Sequence, residues 1–568
     1  MVRAVDEVIG AAVDGERSLR VPVGPDAWRW RTFQSQRLLV VAARTVTSTV
    51  RVLEVLPDLV RGDDRVCVVF AYDPTSVFND GVLELLRGAG CRVMPWEQLD
   101  EAAPDLVLSA SENIDLPDGH CPVLVLPHGI GFQKLVPDSR GERTRLSGMV
   151  PQGLLKRARL AVSHPGQEAQ LVAAHPQAKG ATVLTGDPCY DRLRASVPQR
   201  EAYLRALGLE PGQRLVVVSS TWGPTSLIAR EPELPARLLA DLPLDQYRVA
   251  VVLHPNVWSA HGAWQIRTLQ AAALEAGLVI VPPTQGWQAA VVGASAVVGD
   301  HGSVTLYGAA LDRPVLLGAF GSEAVAGTAG AELGLYAPRL EARLPLRAQI
   351  ERLIGEHKPG RWDRIAERAF AEPGRAMERL RAVVYGLLEL DEPAEPVPVR
   401  SFPLPKVQRT AVTSASVSVR VVASSATRWA LTVERWPAAV AHRVEEDPDE
   451  FRFLACHVEE PNPRVVMNAS VVLQHGAADR AGALRGIGRM LDTCPGSLVA
   501  AAGTAGLWWV GLRDGRAVEV SAGPGLDDPW LAAAAIYACL RAQIPLDGSR
   551  LTVSTGTTEE YGLRLRLC

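Results

Sequence analysis

Residues 297–314 read VVGDHGSVTLYGAALDRP and combine an apolar run, a polar turn and a segment of helical composition. The apolar run ends at Gly299 and predicts a buried strand, and the helical segment follows the turn directly. This arrangement aims backbone N–H groups and a helix dipole at an anion. The stretch predicts an anion-binding turn with Asp300, His301 and Ser303 as candidate contacts. The alternative is that Asp300 and Ser303 only cap the helix.

Apolar runs alternate with amphipathic segments on both sides of this stretch. Runs such as RVCVVFAY and PVLVLPHG fall in 37–190, and RLVVVSST and YRVAVVLHP fall in 191–390. Unbroken Val and Leu runs are typical of parallel strands buried on both faces. We therefore expect two doubly wound α/β domains over these ranges, whose polar strand ends face a shared cleft. Two α/β domains without a functional cleft are the alternative.

The remaining segments have different patterns. Residues 1–36 show little periodicity and predict an irregular lead-in, whereas 351–390 has helical spacing and predicts a helix that straps the two domains together. Five prolines in 391–408 predict a linker. Residues 409–568 alternate with period two around helical segments and predict an α+β module with an antiparallel sheet, used for binding or assembly.

Composition excludes several classes of protein. A net charge of −4 argues against a nucleic-acid binder, and the chain has no uninterrupted apolar run of about 20 residues. Eight scattered cysteines without a CxxC pair indicate reduced thiols in a cytoplasm. The sequence lacks GxxxxGK[ST], HExxH, GxSxG and a carboxylate-rich Mg²⁺ loop, so we expect no metal and no cofactor. Contact with the inner face of a membrane and the oligomeric state stay open.

The segment 127–134, PHGIGFQK, follows a predicted strand and carries the first candidate for chemistry. His128 lies at the strand exit, and Gly129 and Gly131 allow a close approach of the backbone to a ligand. We interpret His128 as a general base and Lys134 as a phosphate contact. The alternative is a histidine whose ring is satisfied by turn backbone.

The segment 216–226, VVVSSTWGPTS, ends another predicted strand with hydroxyl side chains. Ser219, Ser220 and Thr221 are candidates for hydrogen bonds to phosphate, and Trp222 is a candidate for stacking on a base. A hydroxyl-rich turn without a ligand is the alternative.

His254 follows the run YRVAVVL, and Pro255 after it restricts the backbone to extended conformations. We expect its imidazole to counter phosphate charge, either protonated or as a donor. His261 and Trp264 are close in sequence and are further candidates for the pocket lining. A core histidine is the alternative.

The segment 183–193, VLTGDPCYDRL, places Gly186, Pro188 and Asp191 at a strand exit. By itself it predicts only an Asp-Pro turn into a helix capped by Asp191.

Together these pieces resemble the CDP-glycerol glycerophosphotransferase family, the teichoic-acid polymerases and primases. The family motifs HGT-x-x-K, G-x-P-x-x-D, P-T-W-R, basic-x-H-P and D-x-S-S, with a later Pro, have counterparts in the same order over about 37–390. The matching residues are, motif by motif, His128, Gly129 and Lys134; Gly186, Pro188 and Asp191; Thr221 and Trp222; His254 and Pro255; and Asp300, Ser303 and Pro314.

The resemblance implies a GT-B fold and transfer of glycerol phosphate from CDP-glycerol to a hydroxyl. It assigns His128 as the base on the acceptor, and His254 with the helix start at Ser303 as the groups that stabilise the leaving pyrophosphate. The implied partners are a nucleotide-activated donor, CDP-glycerol or a nucleotide sugar, and a hydroxyl-bearing glycan or polyol acceptor.

Several positions depart from the family pattern. Gly223 replaces an arginine, no basic residue directly precedes His254, and Gly302 replaces the first serine of the pair. Tyr307 stands where many such sites place a carboxylate for the ribose. Two alternatives follow: a nucleotide-sugar 2-epimerase-like enzyme, which needs carboxylates near Asp300, and a non-catalytic scaffold of the same fold that senses a nucleotide or assembles partners.

Overall fold

A computed structural model gives the architecture of the chain. The predicted lead-in over 1–36 falls partly outside the described residues; inside them it holds one 3₁₀ turn, Ala27–Trp30. The structure describes residues 21–24, 26–137, 144–341, 343–425, 427–441, 450–476, 479–504, 506–522, 528–556 and 560–568.

The first lobe is built on a parallel sheet with the strand order β3-β2-β1-β4-β5-β8-β9. The order reverses direction between β1 and β4, which are adjacent and parallel. Near it, β6 and β7 form a small antiparallel pair. The strands are β1 (Arg37–Ala43), β2 (Val66–Tyr72), β3 (Val93–Pro95), β4 (Leu106–Ser109), β5 (Val123–Val125), β6 (Leu135–Pro137), β7 (Thr144–Leu146), β8 (Ala158–Val162) and β9 (Thr182–Leu184).

The second lobe repeats this plan with the parallel order β12-β11-β10-β13-β14. Here the order reverses between β10 and β13, which pair through Val216 and Ala296. Strand β13 is the apolar run of the stretch quoted first. The strands are β10 (Arg214–Ser220), β11 (Tyr247–Leu253), β12 (Val279–Val281), β13 (Ala296–Gly299) and β14 (Val315–Leu317).

Helices cover both faces of each sheet, which explains why the strands are apolar throughout. Those before β10 are Val46–Leu59, Val82–Gly88, Leu99–Ala102, Pro165–Ala174, Pro188–Ser196 and Arg200–Ala206. Those of the second half are Leu227–Arg230, Leu234–Asp241, Pro255–Leu269, Ala271–Glu275, Trp287–Gly293, Ser303–Ala310, Ala329–Tyr336, Leu346–Gly355, Asp363–Ala369 and Ala376–Leu388.

The chain crosses between the lobes more than once. Helix Ala376–Leu388 follows the second sheet in sequence, yet Met377, Leu380 and Val384 are buried in the core of the first lobe. After it, the Pro-rich segment lies along the protein: Phe402 is buried and its N–H donates to Ser196 Oγ at 2.9 Å. The strap helix therefore ties the two lobes together.

Residues after 413 form a closed barrel with the order β15-β16-β22-β23-β21-β20-β19-β18-β17. Most neighbours are antiparallel, but β16–β22, β17–β18 and β18–β19 are parallel, so the sheet is mixed rather than antiparallel as expected. The strands are β15 (Ser414–Ser424), β16 (Arg428–Pro437), β17 (Glu450–His457), β18 (Val471–His475), β19 (Val499–Thr504), β20 (Leu507–Leu512), β21 (Ala517–Ala522), β22 (Arg550–Ser554) and β23 (Glu560–Leu567).

Helix Pro529–Arg541 fills the barrel. Residues 531–539 are all buried and pack against the inward side chains of the surrounding strands. Four consecutive alanines, 532–535, keep the helix thin enough to be enclosed on every side. The other helices of the module are Pro463–Asn468 and Arg480–Thr493.

The barrel docks on the second lobe through a buried ion cluster. Arg435 of β16 pairs with Asp245, just before β11, and with Asp528, which caps the central helix. Asp245 lies at the amino ends of the second sheet's strands, so the barrel docks away from their carboxyl ends. The predicted fold class, two doubly wound parallel-sheet domains and an α+β module, is confirmed. None of the helices in the described parts is long and apolar enough to cross a membrane.

Candidate active site

A cleft of about 420 Å³ lies between the two lobes. Its walls come from the segments that follow β1, β4 and β5 in the first lobe and β10, β11 and β13 in the second. These are carboxyl ends of parallel strands beside the reversal of each sheet, where ligands bind in open α/β folds. The candidate residues that line it are His128, Gly129, Gly131, Lys134, Ser219, Ser220, Thr221, Trp222, His254, Pro255, Asp300, His301 and Ser303.

His128 follows β5, and its ring has a defined hydrogen-bond arrangement. Nδ1 lies 3.2 Å from the carbonyl oxygen of Ala110. Because a carbonyl only accepts, Nδ1 carries the proton in the neutral ring and Nε2 is left as an acceptor. The side chain is 33% exposed, so a ligand in the cleft can reach it.

Glu112 lies behind His128 and was not identified from the sequence. Its Oε2 is 3.9 Å from His128 Nδ1, and its Oε1 accepts hydrogen bonds from Arg145 at 3.0 Å and from the N–H of Gly148 at 3.2 Å. Burial opposes ionisation of Glu112, but the neighbouring His128 and Arg145 and the backbone hydrogen bonds outweigh it and lower the pKa of Glu112. A fixed carboxylate therefore backs the imidazole.

His254 has the opposite arrangement. Its Nδ1 accepts a hydrogen bond from the N–H of Asn256 at 3.1 Å and caps helix Pro255–Leu269. The neutral ring therefore carries its proton on Nε2, as a donor. Desolvation, together with Lys134 and His128, holds the pKa of His254 well below 6.5, so the ring is neutral at pH 7. The donor form is supported over the protonated form considered from the sequence.

His301 resembles His254 in its chemistry. Its Nδ1 accepts from the N–H of Gly321 at 3.1 Å, which again leaves Nε2–H as the donor. Desolvation lowers its pKa, although Asp300 acts in the opposite direction. The cleft thus contains one imidazole acceptor and two imidazole donors, and backbone groups fix all three tautomers.

The helix Ser303–Ala310 begins at the cleft. Its N-cap is Gly302, and no side chain caps its first turn, so neither Asp300 nor Ser303 is the cap that the sequence alternative proposed. Ser303 Oγ instead accepts from the N–H of Ile130 at 3.2 Å, a contact between the lobes. A Cβ on Gly129 would lie 2.7 Å from that oxygen, so only glycine permits this approach.

Asp300 is fully buried, and its oxygens are occupied by protein groups. They accept from the N–H groups of Thr221, Leu227 and Gly302 at 2.9–3.2 Å, and from Ser220 Oγ at 3.3 Å. Contact with a phosphate would also bring together two anions. Asp300 therefore organises the loop and the turn, in place of the phosphate contact expected from the sequence.

Lys134 and Thr221 form a second contact between the lobes, beside Asp300 and Gly302. Lys134 Nζ donates to Thr221 Oγ1 at 3.0 Å and lies 5.7 Å from the ring centroid of Trp222. Burial lowers the pKa of Lys134, while Asp300 and Glu323 partly restore it. Phe78 and His254 also contact the Trp222 ring, with centroids at 5.7 and 6.4 Å.

Tyr307 lies one helical turn after Ser303 and is fully buried. Its hydroxyl donates to Asp187 Oδ2 at 2.6 Å and accepts from Arg51 at 3.2 Å. Burial and the neighbouring Asp187 raise the pKa of Tyr307 well above its usual value. The phenol is therefore a structural link between the lobes.

Gly186, Pro188 and Asp191, the residues matched to the G-x-P-x-x-D motif, do not line the cleft. The cap of helix Pro188–Ser196 is Asp187, not Asp191 as the sequence predicted, and Pro188 is its first residue. Asp191 accepts from the N–H groups of Gly374 and Ala376 at 2.6 and 2.8 Å, which anchors the strap helix. Gly186 has a φ of +76° beside Ala376.

Pro255 and Pro314 lie at opposite ends of the second sheet. Pro255 is the first residue of its helix at the cleft, whereas Pro314 precedes β14 at the opposite end of the sheet. His261 and Trp264 lie on an exposed part of helix Pro255–Leu269 and do not line the cleft.

Sequence reasoning missed several charged and aromatic lining residues. Glu112 and Arg44 follow β4 and β1, so the strand-end rule that identified His128 would also have found them. Arg51 lies inside helix Val46–Leu59 and Arg145 lies in β7, and neither has a local sequence signal. No group of three or more His, Cys, Asp or Glu side chains suited to a metal occurs among the described residues.

No family model and no curated protein matches this chain. Solved structures do resemble it. A variant of the wall teichoic acid polymerase TagF covers 62% of this chain and 89% of its own, with 12% identity and a TM-score of 0.45. Another TagF variant covers 68% and 97%, with 11% identity and a TM-score of 0.44.

UDP-GlcNAc 2-epimerase from Neisseria meningitidis, bound to UDP-GlcNAc, covers 62% of this chain and 99% of its own, with 11% identity and a TM-score of 0.38. The predicted resemblance to teichoic-acid polymerases is thereby confirmed as a structural resemblance only. The epimerase, named above as an alternative, is also among the structural neighbours.

Proposed function

We propose that this chain is a GT-B-type transferase that moves glycerol phosphate or a sugar from a nucleotide-activated donor to a hydroxyl acceptor. One observation carries the proposal: a single cleft holds an imidazole with a free acceptor nitrogen, His128, and two with free donor nitrogens, His254 and His301. Transfer to a hydroxyl needs one group that takes a proton and others that stabilise negative charge.

In the attacking step, Nε2 of His128 takes the acceptor's hydroxyl proton. The acceptor oxygen forms a bond to the transferred phosphorus or anomeric carbon as the O–H bond breaks. The imidazolium that results lies beside Glu112, whose carboxylate balances its charge. A well-placed general base contributes about 10²–10⁴-fold to the rate.

In the leaving step, the bond from the transferred group to the nucleotide phosphate oxygen breaks and its electron pair stays on that oxygen. The Nε2–H groups of His254 and His301 donate to the phosphates. The first turn of helix Ser303–Ala310 offers backbone N–H groups and its positive dipole end. Lys134 adds charge at the same wall.

The arrangement favours the transferase over both alternatives. Four basic side chains still line the cleft, Arg44, Arg51, Lys134 and Arg145, although the three arginines also pair with carboxylates. An epimerase-like site needs carboxylates at the turn, and the carboxylate of Asp300 is already bound by backbone N–H groups.

The test measures binding and turnover together. CDP-glycerol, UDP-sugars and CMP are screened by thermal shift, where a saturating ligand raises the free energy of unfolding by a few kcal/mol. Release of CMP or UDP is then followed with glycerol, glycerol phosphate and glycans as acceptors. Acceptor-dependent release supports the proposal. Binding without release supports the scaffold, and conversion of a UDP-sugar without an acceptor supports the epimerase.

A further inference from the structure

The outside of the barrel is covered on two sides and open on a third. Helix Arg480–Thr493 packs on the outward side chains of β17 to β20, and β16 docks on the second lobe. The third side is formed by β21, β23, β22 and the start of β16. There the outward residues Arg428, Arg550, Thr552, Gly562 and Arg564 are all exposed.

Three arginines form a row across this open side. Arg428 of β16 is the register partner of Arg550 of β22, and Arg550 is the register partner of Arg564 of β23. Register partners point to the same face of a sheet, so the three side chains leave the barrel together. Neighbouring strands lie about 4.8 Å apart, which places the three positions within roughly 10 Å.

The arginine row differs from the other arginines on the barrel strands. Those arginines all pair with carboxylates: Arg420 and Arg452 with Glu450, Arg435 with Asp245 and Asp528, and Arg566 with Glu519. The three arginines of the row have no ion pair within the described part of the chain. Like charges directly opposite each other on neighbouring strands destabilise a sheet. An anion bound along the row would offset this cost.

The positions beside the row indicate which kind of anion fits. The next outward row is Ala430, Thr552 and Gly562, in register with one another, and these side chains are small. Protein interfaces are anchored by aromatic and apolar side chains, and anionic membranes attract clusters of about four to eight basic residues. Guanidinium groups bind phosphate through two parallel hydrogen bonds. A flexible phosphodiester chain can follow such a row and lie close to the small residues.

We propose that the arginine row is a docking surface for a phosphodiester polymer, which it holds by the phosphates and not by a base or a sugar. The row belongs to the barrel and not to the cleft, so the proposal does not depend on the proposed function. The net charge of the whole chain is −4, which opposes binding of a polyanion elsewhere on the surface.

The test uses two labelled probes of equal length, oligothymidylate and the same phosphodiester chain without bases. Fluorescence anisotropy should show affinities within about twofold of each other, because the row and its neighbours offer no aromatic side chain for stacking. Each phosphate neutralised on a single strand adds about −0.7 to the slope of log affinity against log salt concentration. Three contacts therefore predict that affinity falls about 20-fold between about 50 and 200 mM salt.

Variants of the row test the individual contacts. Each of Arg428→Gln, Arg550→Gln and Arg564→Gln should make the slope less steep by about 0.7, and the triple variant should lose nearly all of the salt dependence. Because the triple variant removes repulsion between neighbouring strands, its free energy of unfolding should not fall. Denaturant unfolding therefore checks that lost binding does not come from a lost fold.

The matched control removes the same charge from another face of the same module. Arg480→Gln, Arg485→Gln and Arg489→Gln, combined in one chain, change three exposed positions on helix Arg480–Thr493 and should leave binding unchanged. Equal losses in the row and control variants would overturn the proposal, as would binding confined to the probe with bases or no binding of either probe at about 50 mM salt.

Two further results would assign the row to a different partner and so contradict the proposal. Displacement of both probes by polyglutamate at equal charge would indicate an acidic protein. Binding to vesicles of phosphatidylcholine and phosphatidylserine that depends on the row, without binding of either probe, would indicate a membrane.

Discussion

The hydroxyl of Tyr307 donates a 2.6 Å hydrogen bond to Asp187, and this contact joins the two lobes beneath the cleft. Tyr307 belongs to helix Ser303–Ala310, which begins at the turn predicted to bind an anion. Asp187 caps the helix that follows the last strand of the first sheet. The position of the turn relative to the first lobe therefore depends on a buried polar pair.

Replacing Tyr307 by Phe should destabilise the chain without changing nucleotide affinity. The substitution leaves Asp187 and Arg51 without their phenol partner, which costs about 1–3 kcal/mol of unfolding free energy. The aromatic ring stays in place, with its centroid 5.5 Å from that of Trp287. Denaturant unfolding and CMP calorimetry measure the two effects, with the exposed Tyr336→Phe as the neutral control. A large loss of CMP affinity would instead indicate a direct contact with the ligand.

Replacing Gly129 by Ala should disturb the join between the lobes. The new methyl would lie 2.7 Å from Ser303 Oγ, and overpacking of this kind costs about 1–3 kcal/mol. Adding Ser303→Ala removes that oxygen and should recover part of the loss. Gly153→Ala meets nothing within 4 Å and is the matched control. Equal stability of the Gly129 and Gly153 variants would contradict the close approach.

Replacing His128 by Ala should lower kcat about 10²–10⁴-fold, because the proton acceptor for the hydroxyl is lost. The affinity for CMP should change little, since the proposed phosphate contacts are His254, His301, Lys134 and the helix start at Ser303, and His128 is not one of them. Single-turnover assays with the donor identified by screening measure the effect. Full turnover by this variant would rule out the assigned mechanism.

Replacing Glu112 by Gln tests the charge behind that base. The amide oxygen can still accept from Arg145 and the Gly148 N–H, so the fold should be retained. Without the negative charge, the imidazolium formed during attack is less stabilised, and kcat should fall about tenfold at unchanged KM for the donor. Glu201→Gln, at an exposed site, is the control. A change confined to KM would show that Glu112 acts in binding instead.

The stability of the chain should fall as the pH drops below about 6.5, in part because of His254. Burial keeps its folded pKa well below 6.5, so the unfolded chain binds the proton first and this contribution is lost toward the folded pKa. His254→Asn keeps an acceptor for the Asn256 N–H and cannot titrate. Between about pH 7.5 and 5, it should lose less unfolding free energy than the wild type, as measured by denaturant unfolding at each pH. Parallel losses in both proteins would contradict this contribution.

The strand ends were the most informative part of the sequence. Polar residues after β5 of the first sheet and after β10, β11 and β13 of the second were expected to face a shared cleft. The structure brings them into one cleft, because the carboxyl ends of the strands in each parallel sheet lie at one edge and the two edges face each other. The tautomers of the histidines are not readable in this way, since they depend on whether a distant backbone carbonyl or N–H faces Nδ1.

Other features depended on contacts that are far apart in sequence. Asp191 resembles a helix cap, but its partners lie at 374 and 376. In the barrel, alternation predicts strands without their direction, because parallel and antiparallel neighbours have the same period of two. The parallel pairing of Trp429 with Leu551 therefore could not be anticipated.

That pairing also has a consequence for biosynthesis. The barrel closes when β16 pairs with β22, which lies more than a hundred residues later in the chain. The central helix must already be inside when this last pairing forms. Both parallel sheets will already have left the ribosome and can fold as units while the last module waits for its final strands. Ribosome-bound chains of increasing length should therefore acquire a protease-resistant cleft well before they acquire a protease-resistant barrel.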